Sequence, residues 1–129
     1  MTYVQGFLAA VPTVNKQAYL EHARQALPLF KEYGAARMVE AWGDDVPKGK
    51  RNDLQGAVQA TAEEAVVFGW MEYPDKATRD AAFEKMMADP SMQEMPEMPF
   101  DGKRMIFGGF DPLVDAGSAR GGYIDGYLL

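Results

Sequence analysis

The chain has 129 residues, 19 acidic side chains against 13 lysines and arginines, a formal charge of -6 at pH 7 and no cysteine. That length holds one ordinary domain with its own core, and the missing thiols exclude disulfides, thiolate metal sites and cysteine nucleophiles. The acidic balance repels phosphate backbones, so nucleic acid is not an expected partner. There is no basic leader and no apolar run long enough to cross a bilayer, which predicts a soluble, cytoplasmic protein without a membrane partner.

Tyr3 to Val11 reads as a strand stopped by Pro12. Thr13 or Asn15 is then in place to cap a helix whose inner face carries Tyr19, Ala23, Ala26, Phe30 and Tyr33, closed by Gly34. Pro28 removes one backbone donor and is expected to bend that helix near Gln25 or to split off its final turn. Ala36 to Trp42 is a second strand, bounded by Gly43-Asp44-Asp45. A long polar connection runs to Thr61, with Asp53 as cap of one short turn through Ala57, and its length marks it as a candidate functional region. Its Lys48, Lys50 and Arg51 are balanced by Asp44, Asp45 and Asp53.

Glu64 to Tyr73 is a third strand, and Asp75 caps a helix to Ala88 with Ala82, Phe83, Met86 and Met87 as its buried side. Ser91 to Met95 adds a further helical turn, and Lys103 to Phe110 is the fourth strand. The order βαββαβ predicts an α+β, ferredoxin-like fold: an antiparallel four-stranded sheet with helices on one face. The other face must meet a partner. By size and polarity that open face is assigned Tyr3, Gln5 and Phe7, then Met38, Glu40 and Trp42, then Phe68, Trp70 and Glu72. The smaller alternate residues are assigned to the helices.

Residues 1–115 form the domain in this reading, and 116–129 a glycine-rich flexible tail. Tyr123-Ile124-Asp125-Gly126-Tyr127-Leu128 echoes Tyr3-Val4-Gln5-Gly6-Phe7-Leu8, so the tail is a candidate for an added edge strand.

Five blocks in order, Tyr3 to Phe7, Gly43 to Val46, Val66 to Trp70, Met87 to Pro90 and Met98 to Met105, resemble the YbaA-like family, a bacterial domain of unknown function. The resemblance covers about residues 2 to 115. It implies the dimeric α+β barrel superfamily, in which two ferredoxin-like subunits press their open faces together, and hence a homodimer. Pro28 and the tail depart from the family's pattern. The resemblance implies no established reaction, so whether the chain is an enzyme stays open.

Candidate chemistry follows from the open-face assignment. Glu40 and Glu72 are candidate general bases, with pairing to Arg37 or Arg104 as the structural alternative, and Arg104 is a candidate to neutralise an acidic ligand. Tyr3, Trp42, Trp70, Tyr73 and Arg104 are candidate lining for a small-molecule pocket, as in the cofactor-free monooxygenases of the same superfamily, or are simply interface core. Asp44 and Asp45 are the candidates for a metal, against a turn-capping role. His22 is the only histidine and reads as a half-exposed helix residue, while Met92, Met95 and Met98 read as core filling rather than a copper site. No cofactor is assigned. The expected function is a homodimeric barrel with a small-molecule binding or enzymatic cavity, the alternative a structural or protein-interaction module with a dry dimer interface.

Overall fold

A computed structural model describes residues 2–89, 98–117 and 122–129. The elements are β1 (Tyr3–Pro12), α1 (Lys16–Glu32), β2 (Arg37–Trp42), α2 (Leu54–Ala57), β3 (Glu64–Tyr73), α3 (Lys76–Ala88) and β4 (Ile106–Phe110). All strand pairs are antiparallel in the order β2-β3-β1-β4, which is the ferredoxin-like sheet that the βαββαβ order predicts. The helical turn expected over Ser91 to Met95 lies outside the described residues.

Local chemistry sets the element ends. Asp75 caps α3 by accepting from the Thr78 amide at 2.7 Å, and Asp53 caps α2 by accepting from the Gly56 amide at 2.6 Å. At the other end of α1 the Ala35 amide returns to the Phe30 carbonyl at 2.9 Å and Gly34 to Lys31 at 3.1 Å, with Gly34 at a φ of 111°. That bonding pattern needs a left-handed residue, which is why glycine closes the helix.

Four local expectations are corrected. Neither Thr13 nor Asn15 caps α1: Thr13 Oγ1 donates to the Glu63 carbonyl and Asn15 Nδ2 to the Pro99 carbonyl, both at 2.9 Å, so these side chains tie distant segments to the helix entry. Helix α1 runs on through Pro28 to Glu32, and no final turn splits off; Phe30, beyond the proline, packs against the Ala35, Tyr73 and Ala82 cluster, which offsets the missing amide. The fourth strand begins at Ile106; Gly102–Arg104 form a 3-10 turn in which Asp101 accepts from the Lys103 amide at 3.0 Å. On α3 Ala82 is buried while Phe83 and Met87 are exposed, so its inner stripe is narrower than expected.

The strand register corrects the two faces. Gly6 lies opposite Trp70, Val39 opposite Trp70 and Ala41 opposite Phe68, and directly paired residues share a face. The open face therefore carries Val4, Gly6 and Leu8, Val39 and Ala41, Phe68, Trp70 and Glu72. Only the β3 assignment holds. Tyr3, Gln5 and Phe7 on β1, and Met38, Glu40 and Trp42 on β2, point at the helices. These polar groups are tolerated there because the helices bring partners: Arg79 of α3 donates to Gln5 Oε1 at 2.9 Å and to the Tyr3 hydroxyl at 3.3 Å, and Tyr19 of α1 donates to Glu40.

Four strand glycines leave bare backbone, and an aromatic ring covers each. Phe110 lies over Gly6 and Gly108 on the open face; Phe7 covers Gly69 and Tyr3 covers Gly109 on the helix face. The helices α1 and α3 close the helix face through Ala9, Val11, Tyr19 and Val67 and through Ala35, Tyr73 and Ala82. The β2–β3 connection folds onto the opposite side, where Val58 is buried against Leu8, Ala10 and Val66 with Leu54 beside it. One end of the open face is thus covered from within the chain, and the expected loop proves to be core.

Candidate functional site

What remains of the open face is a shallow apolar floor. Val4, Phe68, Trp70 and Phe110 line it, the Phe110 ring lying across the Gly6–Gly108 pair that stands side by side in the β1–β4 register. Phe68 and Trp70 meet edge to face at 6.1 Å, a favoured arrangement for a ring pair. Above the floor lies residues 122–129, with Gly126 against the Phe68 ring, and the space between them is a groove of about 960 Å³. That volume is at the upper end for a small-molecule site, roughly 300–1,000 Å³.

At the β2 edge of the floor the charged groups satisfy each other. Arg37 Nη1 donates to Glu72 Oε2 at 2.9 Å, and Trp70 Nε1 donates to the same oxygen at 2.9 Å. The Arg37 guanidinium also sits 5.9 Å from the Trp70 ring centre, within cation–π range. Trp70 and Glu72 are therefore where the sequence put them, and Glu72 has the arginine partner named as its structural alternative.

The other sequence candidates lie elsewhere. Glu40 and Glu72 are on opposite sides of the sheet and cannot act together. Glu40 accepts from the Tyr19 hydroxyl beneath α1, where burial raises its carboxyl pKa and the tyrosine's bond partly offsets the rise. Burial, and then the nearby carboxylate, push the Tyr19 hydroxyl well above its ordinary range. Trp42 packs edge to face on Tyr19 with Lys16 Nζ 5.4 Å from its ring. Tyr73 is buried against Ala35 and Ala82, and Tyr3 stacks under Arg79 at 5.0 Å. None of these three lines the groove.

Arg104 is a structural clamp. Its guanidinium donates to both oxygens of Glu64 at 2.8 and 2.7 Å, to the Gln59 carbonyl at 2.9 Å and to Asp101 at 3.1 Å. The Arg104 bonds pull the Glu64 pKa down to about 2. The cluster joins the turn before β4 to the end of the β2–β3 connection, where Gln59 has a φ of 54°. This accounts for the arginine without a ligand.

Asp44 accepts from the Tyr123 hydroxyl at 2.6 Å and Asp45 is exposed. Among the described residues no group of three or more His, Asp or Glu is placed to hold a metal ion. His22 lies half-buried beside Phe100, and burial lowers its pKa. Met92 and Met95 are outside the described residues. No helix among these residues is long and apolar enough to cross a membrane. Arg37, Phe110 and the Gly6–Gly108 pair were the site residues to find; the first glycine of Gly108-Gly109 and the aromatic ending β4 were the visible signals, but their faces depend on register.

Comparison with known proteins agrees with this fold and adds no reaction. The uncharacterized protein YbaA of Escherichia coli strain K12 is 59% identical over 116 residues, covering 89% of this chain and 99% of its own, and the same figures hold for YbaA of Shigella flexneri. A crystal structure described as a dimeric ferredoxin-like protein from an uncultured marine organism superposes with a TM-score of 0.52 at 12% identity, covering 84% of this chain and 91% of that one. With residues 2–102 matched by the model of the family described as "Protein of unknown function (DUF1428)", the chain belongs to that family.

Proposed function

We propose that the chain works as a homodimer whose two open sheet faces confront each other around a cavity that binds a small, uncharged, largely apolar molecule. The observation that carries this reading is the half of the open face that the β2–β3 connection leaves bare: Trp70 and Phe110, the last 54% exposed, with the Phe110 ring lying across two strand glycines beside the groove. An apolar sheet face of this kind needs cover from a partner or a ligand. The marine ferredoxin-like protein, of the same fold, is described as dimeric, which supports pairing.

Ligand polarity follows from the charged pair. Arg37 and Glu72 neutralise each other at the rim, and the remaining charged lining, Asp115 and Asp125, is acidic, so the groove offers shape and aromatic surface and repels an anion. Binding is favoured over acid–base catalysis, because Glu40, the carboxylate with a raised pKa, faces α1 across the sheet.

Light scattering of the purified protein tests the pairing, and native mass spectrometry of protein taken from its own host tests the ligand. Trp70→Arg places a second guanidinium on the floor beside Arg37 and is expected to give a folded monomer by circular dichroism and light scattering. An intact Trp70→Arg dimer overturns pairing through this face. A dimer whose interface leaves no cavity and retains no small molecule favours the dry interaction module instead.

A further inference from the structure

We infer that the open face has two competing occupants, the chain's own residues 122–129 and a second copy of the chain, so that release of the C-terminal segment permits pairing. This rests on the homodimer reading above and specifies how it is controlled. Gly126 sits against the sheet at Phe68. A Cβ there would stand 3.1 Å from Phe68 Cζ and 3.2 Å from Cε2, so glycine is what lets the backbone settle on the ring. Tyr123 fixes the segment's start: its hydroxyl donates to Asp44 at 2.6 Å, which ties it to the turn leaving β2.

The rest of the segment is held lightly. Ile124 and Leu128 line the groove and are still 41% and 51% exposed, and Tyr127 is 76% exposed. Little apolar area is lost to water, so the segment can leave at small cost. Its occupant chemistry suits the face all the same. Tyr123 to Leu128 repeat the aromatic, branched, polar, glycine, aromatic, leucine pattern of Tyr3 to Leu8, the central strand of this sheet. While the segment lies on Phe68, a partner's sheet cannot reach the same ring.

A dimer that forms only from the uncovered fraction of chains has an apparent dissociation constant raised by the reciprocal of that fraction. With the segment in place for roughly 90–99% of the time, freeing the face should tighten dimerisation about 10- to 100-fold. Sedimentation velocity across a concentration series compares the full chain, the full-length variant Gly126→Leu, whose side chain collides with Phe68, and a chain ending at Gly117. Both variants are expected to dimerise more tightly than the full chain, and Tyr123→Phe to move a few-fold the same way, roughly as one lost hydrogen bond allows. Equal or weaker dimerisation of both variants overturns the competition and leaves the dimer standing. If every version stays monomeric at the highest concentration, the dimer reading and the competition fall together.

Discussion

Gly69→Ala tests whether strand glycines and their covering rings act as units. A Cβ at Gly69 would stand 2.5 Å from Phe7 Cε1 and 3.0 Å from the Val39 carbonyl oxygen. The carbonyl belongs to the β2–β3 ladder and cannot retreat, and the ring is packed among Ala9, Val11 and Val67, so the strain falls on Phe7. Overpacking of this kind costs about 1–3 kcal/mol. The lost glycine entropy of the unfolded chain returns about 0.4–1 kcal/mol, leaving a net loss of roughly 1–2 kcal/mol. For 129 residues the unfolding entropy is about 270 cal/mol/K, so the melting temperature should fall by about 4–8 °C. Calorimetry at one fixed protein concentration reads this directly. Phe7→Leu removes the colliding atoms, and the double variant should be more stable than the sum of the single losses by about 1 kcal/mol. An unchanged or raised melting temperature in Gly69→Ala, or strict additivity with Phe7→Leu, refutes the unit.

Gly34→Ala should destabilise the fold by about 1–2 kcal/mol from the left-handed backbone alone, and its Cβ would also meet Thr78 Cγ2 at 2.5 Å; chemical denaturation checks it, and a loss near zero refutes the helix-closing role. Glu64 makes acid sensitivity measurable. Its folded pKa of about 2 lies below the ordinary value, so its stabilisation is full above the unfolded pKa and is lost as pH falls toward the folded one. The wild type should therefore lose more stability than Glu64→Gln between about pH 5 and about pH 3, and parallel melting curves would count against the Arg104 clamp.

The βαββαβ order, the Asp53 and Asp75 caps and the glycine closing α1 were legible because each is decided by a few neighbouring residues. Face assignment was not. Alternation places Tyr3, Gln5, Phe7 on one side and Val4, Gly6, Leu8 on the other, but which side meets the helices depends on partners supplied from far along the chain. Arg79 is 74 residues from Gln5 and Tyr19 is 21 from Glu40. Without them, size and polarity pointed the wrong way on β1 and β2. On β3 the same rule worked, since Phe68 and Trp70 have no helix-borne polar partner to draw them inward. The loop to Thr61 looked polar in sequence because few apolar residues, chiefly Val58 with Leu54 and Ala60 beside it, carry its burial. Of the groove itself, Trp70 and Glu72 were readable; its floor needed the β1–β4 register, and its roof needed the path of residues 122–129.

Glu40 is the half-buried group whose role is most open to measurement. Burial raises its pKa, so the folded state holds the proton more tightly than the unfolded chain. Its protonated form contributes fully at pH below the unfolded pKa, and that contribution is lost as pH rises through the window between the two values. This is opposite in sign to Glu64, and the two separate in one pH series. Glu40→Gln keeps an oxygen for the Tyr19 hydroxyl without the charge, so it should gain on the wild type as pH rises above the ordinary carboxylate range. Tyr19→Phe removes the bond that holds the Glu40 pKa down. Its carboxylate is left buried with one donor fewer, at a cost of about 1–3 kcal/mol when ionised, and the pH-dependent loss should extend to higher pH. A Tyr19→Phe curve parallel to the wild type at every pH would remove the tyrosine as the partner of Glu40 and leave burial alone to explain the shift.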